Sequence, residues 1–185
     1  MNATDKSLQP DTAVSNIVPA HNLESVVNQI AYAMRHTLGR GDVAELRRLH
    51  PKDPSAPAFW KIAASYLAPA RMLPRGGQLL DEAERRWASI LSAMAQTAGL
   101  HRPGRRLGNA LAAAGFSELR FVRLLRARDK PLFQNVRTAA GYLAAKAEPL
   151  DCADIAYLVL SDGRPHSEAV RRRIARDYYG SMKTE

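Results

Sequence analysis

At 185 residues, 46% apolar and 24% charged, the chain has the composition of a folded globular protein and not of a disordered one. Its net charge of +9 and pI of about 10.1 make nucleic acid the first partner class and an anionic membrane surface the second. No apolar run approaches the roughly eighteen residues of a membrane span, the N-terminus lacks the basic-then-apolar order of a signal peptide, and a single cysteine, Cys152, excludes an internal disulfide, so a soluble cytoplasmic protein is expected.

Residues 1 to 22 mix Asn, Thr, Asp, Ser, Gln and Pro with few large apolar side chains, the pattern of a mobile tail. From Leu23 the set Val26, Val27, Ile30, Met34 and Leu38 has helical spacing, and Gly39 and Gly41 end it. Asp42 followed by Glu45 resembles a capping box opening a short helix with Leu46 and Leu49 inward. After the KDPSAP loop, Pro57 suits a first helical turn, and Phe59, Ile62, Ala63 and Tyr66 line a core. The same pattern assigns Trp60 to packing ahead of base stacking.

ARMLPRGGQ is a loop by its proline and paired glycines, and it carries Arg71 and Arg75. Leu80, Ala83, Trp87, Ile90, Leu91, Met94 and Ala98 then define the longest amphipathic helix, with Asp81–Arg85 and Glu82–Arg86 spaced for ion pairs on its exposed side. A Gly- and Pro-broken linker, GLHRPGRRLG, follows with Arg102, Arg105 and Arg106.

In LGNALAAAGFSELRFVRLLRARDK, from Leu107 to Lys130, two short apolar-periodic segments meet at Gly115. Glycine suits a helix end at positive φ, and Ser117 suits the cap of the next helix. On the wheel of that second helix Phe121, Val122, Leu124 and Leu125 share one side, while Arg120, Arg123 and Arg126 step along the other. Pro131 starts a further helix, Asp151 another, and Ser167 is placed to cap the last, where Val170, Ile174 and Tyr178 face inward and Arg172, Arg173 and Arg176 outward. The chain is therefore expected to be all-α, about nine helices in two small helical-bundle lobes, 23–100 and 101–185, with the second carrying the main basic surface.

The charge is concentrated. From 101 to 137 nine cations, Arg102, Arg105, Arg106, Arg120, Arg123, Arg126, Arg128, Lys130 and Arg137, face only Glu118 and Asp129, a surplus of seven out of the net nine. With Arg172, Arg173 and Arg176 as a second patch, these twelve side chains are the candidate nucleic-acid-binding residues. Arginine forks match phosphate, and the helix carrying Arg120, Arg123 and Arg126 offers no Asn or Gln to read adenine.

Catalytic chemistry is missing from the pattern. The five histidines stand far apart, no phosphate loop or nucleophile elbow occurs, and Asp151 with Asp154, the nearest carboxylate pair, opens a helix where dipole and capping roles explain it. No catalytic residue, metal ligand or cofactor is assigned, and binding rather than turnover is expected.

The order of GDVAELRRL at 41–49, AFW at 58–60, LGNAL at 107–111, SELRFVRLLRA at 117–127 and ARDYYG at 175–180 resembles the CasB family, the small subunit of the type I-E CRISPR surveillance complex called Cascade. The resemblance covers most of the chain after residue 23 and leaves out the tail and the RMLPRGG loop. It implies an all-helical, non-enzymatic subunit that partners the crRNA and target DNA through their sugar-phosphate backbone, other Cascade proteins and a second copy of itself. Such a subunit helps hold the guide–target hybrid and the displaced strand, with sequence choice left to base pairing. Two alternatives stand beside it. One is a helix-turn-helix regulator built on ALAAAGFSELRFVRLL, weakened by Leu111 where a small residue is usual; the other is a basic helical adaptor for an acidic protein.

Overall fold

The computed structural model describes residues 20–50 and 54–182. The expected tail lies outside these but for its last three residues, which open the first helix. In chain order the helices are α1 (Ala20–His36), α2 (Arg40–Arg48), α3 (Pro57–Ile62), α4 (Gln78–Gln96), α5 (Leu107–Ala113), α6 (Glu118–Arg126), α7 (Asp129–Ala145), α8 (Cys152–Leu160) and α9 (Ser167–Met182). A π-helical turn, Ala63–Leu67, prolongs α3. The fold is all-α with these nine helices and no strand among the described residues; a lone bridge joins His101 to Leu150.

The centre of the molecule is α4. Every residue from Trp87 to Ala95 is buried, because α2, α7 and α8 all pack against this helix. The expected exposed side of α4 exists only in its first turns, and the reason is written in Ala88, Ser89, Ser92, Ala93 and Ala95. Side chains this small let neighbouring helices come close on what would otherwise be the solvent face. Burying each large partner, such as Trp87, Ile90 or Leu91, stabilises the fold by about 1.5–3 kcal/mol. The expected lobe boundary near residue 100 falls in a loop, but α4 rests on α7 and α8, and α1 on α8, so the apolar core runs across it.

Several local expectations are corrected by packing. Asp42 does not cap α2, which begins two residues earlier after Gly39. It pairs with Lys61, and Glu45 accepts the N–H of Ala58, so both tie α2 to α3. Phe59 is buried as expected, but Trp60, expected to pack, is 46% exposed and meets Phe59 only edge to face. Ser117 stands at the cap position of α6 without a side-chain capping bond. Ser167 lies inside α9, where its hydroxyl accepts from Arg171 Nε. The Glu82–Arg86 pair forms as spaced, whereas Asp81 and Arg85 make none.

Helix α5 packs closely on α9. Gly108 makes it possible: a Cβ there would lie 2.3 Å from the carbonyl oxygen of Ile174. Phe121 of α6 then stacks on Tyr178 of α9 with centroids 3.7 Å apart, and the Tyr178 hydroxyl donates to the Phe116 carbonyl.

Candidate nucleic-acid interface

The turn that presents α6 is set by Gly115. With φ at 75°, it allows Phe116 N–H to reach back to the Leu111 carbonyl and its own N–H to reach Ala112, closing α5 as a left-handed cap. The chain then enters α6, which buries Phe121 and Leu124 and exposes Arg120, Arg123 and Arg126 as the wheel requires. Upstream, the linker is firmly held. Arg102 N–H donates to the Leu150 carbonyl, Asp151 N–H to Arg105, and Gly104 N–H to the Asp151 carboxylate. His101 accepts the Cys152 N–H on Nδ1, so its Nε2 carries the proton and faces Asn28 Oδ1 at 2.7 Å; burial holds its pKa below the usual histidine value.

The structure sorts the twelve candidate cations into two groups. Five have partners within the fold. Arg105 pairs with Glu148 at 2.6 Å. Arg106 and Arg173 meet on Asp154, which is 1% exposed and also accepts the Leu107 N–H, so one carboxylate ties the start of α5 to α8 and α9. Arg128 bridges Asp162 and Glu168, and Arg137 donates to Ser92 Oγ and the Leu49 carbonyl, tying α7 to the end of α2. Arg102, Arg120, Arg123, Arg126, Lys130, Arg172 and Arg176 are exposed, with no side-chain hydrogen bond or ion pair among the described residues.

Packing places Arg126, Arg172 and Arg176 of the second group on one flank of α6 and α9, with Arg123 next to Arg126 on α6. Helices α6 and α9 run antiparallel: the Tyr179 hydroxyl donates to Glu118 and Phe121 stacks on Tyr178 at one end, while Arg171 donates to the Leu125 carbonyl and Arg128 pairs with Glu168 at the other. Around each helix the partner-facing stripe lies between an inward flank and an outward one. Leu124, Val170 and Ile174 are inward and buried; Arg126 on α6 and Arg172 and Arg176 on α9 are outward and exposed. In an antiparallel pair equal rotations from the facing stripe fall on the same side, so Arg126, Arg172 and Arg176 form one outward surface, and Arg123, one turn before Arg126, continues it around the side of α6 away from α9. The carboxylates at its edges are occupied, Glu118 by Tyr179 and Glu168 by Arg128. Leu119, 72% exposed, stands among these arginines.

Two arginines outside the candidate set matter structurally. Arg171, 4% exposed, is paired with buried Asp162 at 2.6 Å, and burial together with nearby Arg128 lowers its pKa despite that carboxylate. Its position, three residues before Ile174 and seven before Tyr178, was the available sequence signal that it faces inward. Arg86 reaches from α4 to the carbonyls of Val159 and Asp162 and so satisfies the end of α8. The sequence marked only its pairing with Glu82, because the carbonyls it reaches lie more than seventy residues away.

Other reactive groups are quiet. Burial pushes the Cys152 thiol up to about 12, which suppresses the thiolate. Asp151 caps α8 through the Ala153 N–H, as its position predicts. Among the described residues no three His, Cys, Asp or Glu side chains gather to hold a metal ion, and no helix is long and apolar enough to cross a membrane.

The model of the CRISPR-associated Cse2 protein family matches residues 42–179. Among solved structures, a Cse2-family protein from Thermus thermophilus is similar at 24% identity, over 88% of this chain and 98% of that one, with a TM-score of 0.65. CasB from Thermobifida fusca is similar at 22% identity, over 86% and 97%, with a TM-score of 0.64. A chain of Escherichia coli Cascade bound to a PAM-containing double-stranded DNA target is similar at 22% identity, over 90% and 98%, with a TM-score of 0.60. No curated protein matches the sequence.

Proposed function

The chain belongs to the CRISPR-associated Cse2 family, and from that premise we propose that it is a non-catalytic small subunit of a type I-E crRNA-guided interference complex. In this role it binds nucleic-acid backbone, helping to hold the guide–target hybrid and the displaced DNA strand beside other Cascade proteins and a second copy of itself. The observation that carries the proposal is the outward surface of α6 and α9, where Arg123, Arg126, Arg172 and Arg176 have no hydrogen-bond or ion-pair partner among the described residues while neighbouring arginines do. Exposed guanidinium groups on neighbouring helices suit phosphate, and sequence choice by guide pairing needs no base-reading side chain. Arg102, Arg120 and Lys130 extend the candidate footprint. The partnered Arg105, Arg106, Arg128, Arg137 and Arg173 contribute positive potential around it.

Salt titration of binding to unrelated single-stranded and duplex DNA tests this. The affinity should fall steeply with salt and show no sequence preference, and replacing the four outward arginines with alanine should reduce the log–log slope by about three units. A control lacking Arg71, Arg75, Arg85 and Arg164 removes equal charge from elsewhere. Equal loss of slope in that control would assign binding to net charge alone, and a preference of about a hundredfold for one duplex sequence would favour a regulator.

A further inference from the structure

A shallow cleft of about 430 Å³ opens where the end of α1, the start of α2 and the loop after α4 meet. Its floor is aliphatic, from Met34, Leu38 and Val43, and its rim carries Arg35, Arg40 and Arg47, with no carboxylate in the lining. The three arginines are not equivalent. Arg47 donates from Nε to the Ala95 carbonyl at 2.8 Å, which fixes its headgroup, whereas Arg35 and Arg40 are exposed without an ion pair among the described residues. Helix electrostatics accounts for Arg35 and Arg47, which lie in last turns where cations are favoured. It does not account for Arg40, the first residue of α2, where a cation meets the positive end of the helix dipole.

An apolar floor inside a cationic rim has a specific complement. We propose that this cleft docks an acidic peptide segment of a protein partner, with one aliphatic side chain on Met34, Leu38 and Val43 and flanking carboxylates on Arg35, Arg40 and Arg47. A nucleic-acid strand fits less well. The lining offers no aromatic ring to stack a base and no side-chain acceptor to pair with one, and a phosphodiester leaves an aliphatic floor uncovered. This surface is distinct from the α6 and α9 arginines, so the two sites fail independently.

The test is fluorescence anisotropy on the full chain with three probes: the labelled peptide Gly-Asp-Glu-Leu-Leu-Glu-Asp-Gly, its twin with alanine in place of leucine, and short oligo-dT. The leucine peptide should bind at least about tenfold more tightly than its twin, roughly 1.4 kcal/mol. Binding should be lost in Arg35→Glu/Arg40→Glu, two exposed sites whose change leaves unfolding near wild type, and should weaken in Leu38→Asp. Oligo-dT affinity should follow the α6 and α9 arginines and ignore this pair. Equal binding of the two peptides, peptide binding unaffected by the charge reversal, or oligo-dT affinity that drops with Arg35 and Arg40 would each overturn the proposal. Benzophenone placed at Leu38 in the assembled complex gives the second reading: a crosslink to a carboxylate-rich protein segment with an aliphatic residue supports it, and a nucleotide adduct or no protein adduct refutes it.

Discussion

Arg171 and Arg172 are neighbours in sequence and opposites in the molecule. The first is sealed in the core on Asp162, holding α9 to the loop after α8; the second points outward beside Arg176, Arg123 and Arg126. The same division runs between Arg173, on buried Asp154, and Arg172. Adjacent residues of a helix point about 100° apart, so a run of three arginines necessarily divides among different environments. Basic composition therefore measures a footprint poorly. Five of the twelve candidate cations are already bound to the protein, and a buried carboxylate decides the matter in three of those five cases.

The sharpest way to break this comparison is to remove a buried carboxylate. Asp162→Ala leaves Arg171 charged, enclosed and without its ion-pair partner, and should destabilise the chain by about 3–5 kcal/mol in urea unfolding. Adding Arg171→Leu should restore much of that loss, since a packed apolar side chain replaces the stranded charge. A loss below about 1 kcal/mol in the single variant would mean that water reaches Arg171.

Asp154 allows a finer distinction. Burial raises its pKa above the usual carboxylate value, outweighing the Leu107 N–H, Arg173 and Arg106, which act in the opposite direction. The folded state therefore holds this proton more tightly than the unfolded state. As pH falls through the raised value toward 3.8, Asp154 favours folding, and above the raised value that contribution is absent. Wild type should accordingly gain stability relative to Asp154→Asn as urea midpoints are followed from pH 7 down toward 3.8. A difference that runs the other way would show that the two arginines dominate over burial.

The smallest effect on stability belongs to the outward group. Alanine at Arg123, Arg126, Arg172 and Arg176 should change stability by less than about half a kcal/mol at each position, while the log–log salt slope of nucleic-acid binding falls by about three units as described above. Thermal unfolding of the quadruple variant checks this. A large drop would place these arginines in the structural group and remove the distinction on which the proposed interface rests.

Local physics made much of the fold legible in the sequence. Apolar periodicity placed α1, α7, α8 and α9, Pro57 marked the start of α3, Gly115 marked the end of α5, and the α6 wheel separated Phe121 and Leu124 from Arg120, Arg123 and Arg126, because each signal lies within about two helical turns. What depended on distant partners was not legible. The burial of every side of α4 needed α2, α7 and α8 in place; Trp60, expected to pack, is half-exposed over Phe59; Asp42 and Glu45 served α3 in place of their own helix. The candidate site divides along the same line. The sequence supplied the cations and their surplus, because charge is a property of composition. Only the tertiary structure decided which guanidinium groups were neutralised and which shared a surface, because that depends on Asp154 reaching Arg106, on Asp162 reaching Arg128, and on α6 and α9 lying antiparallel.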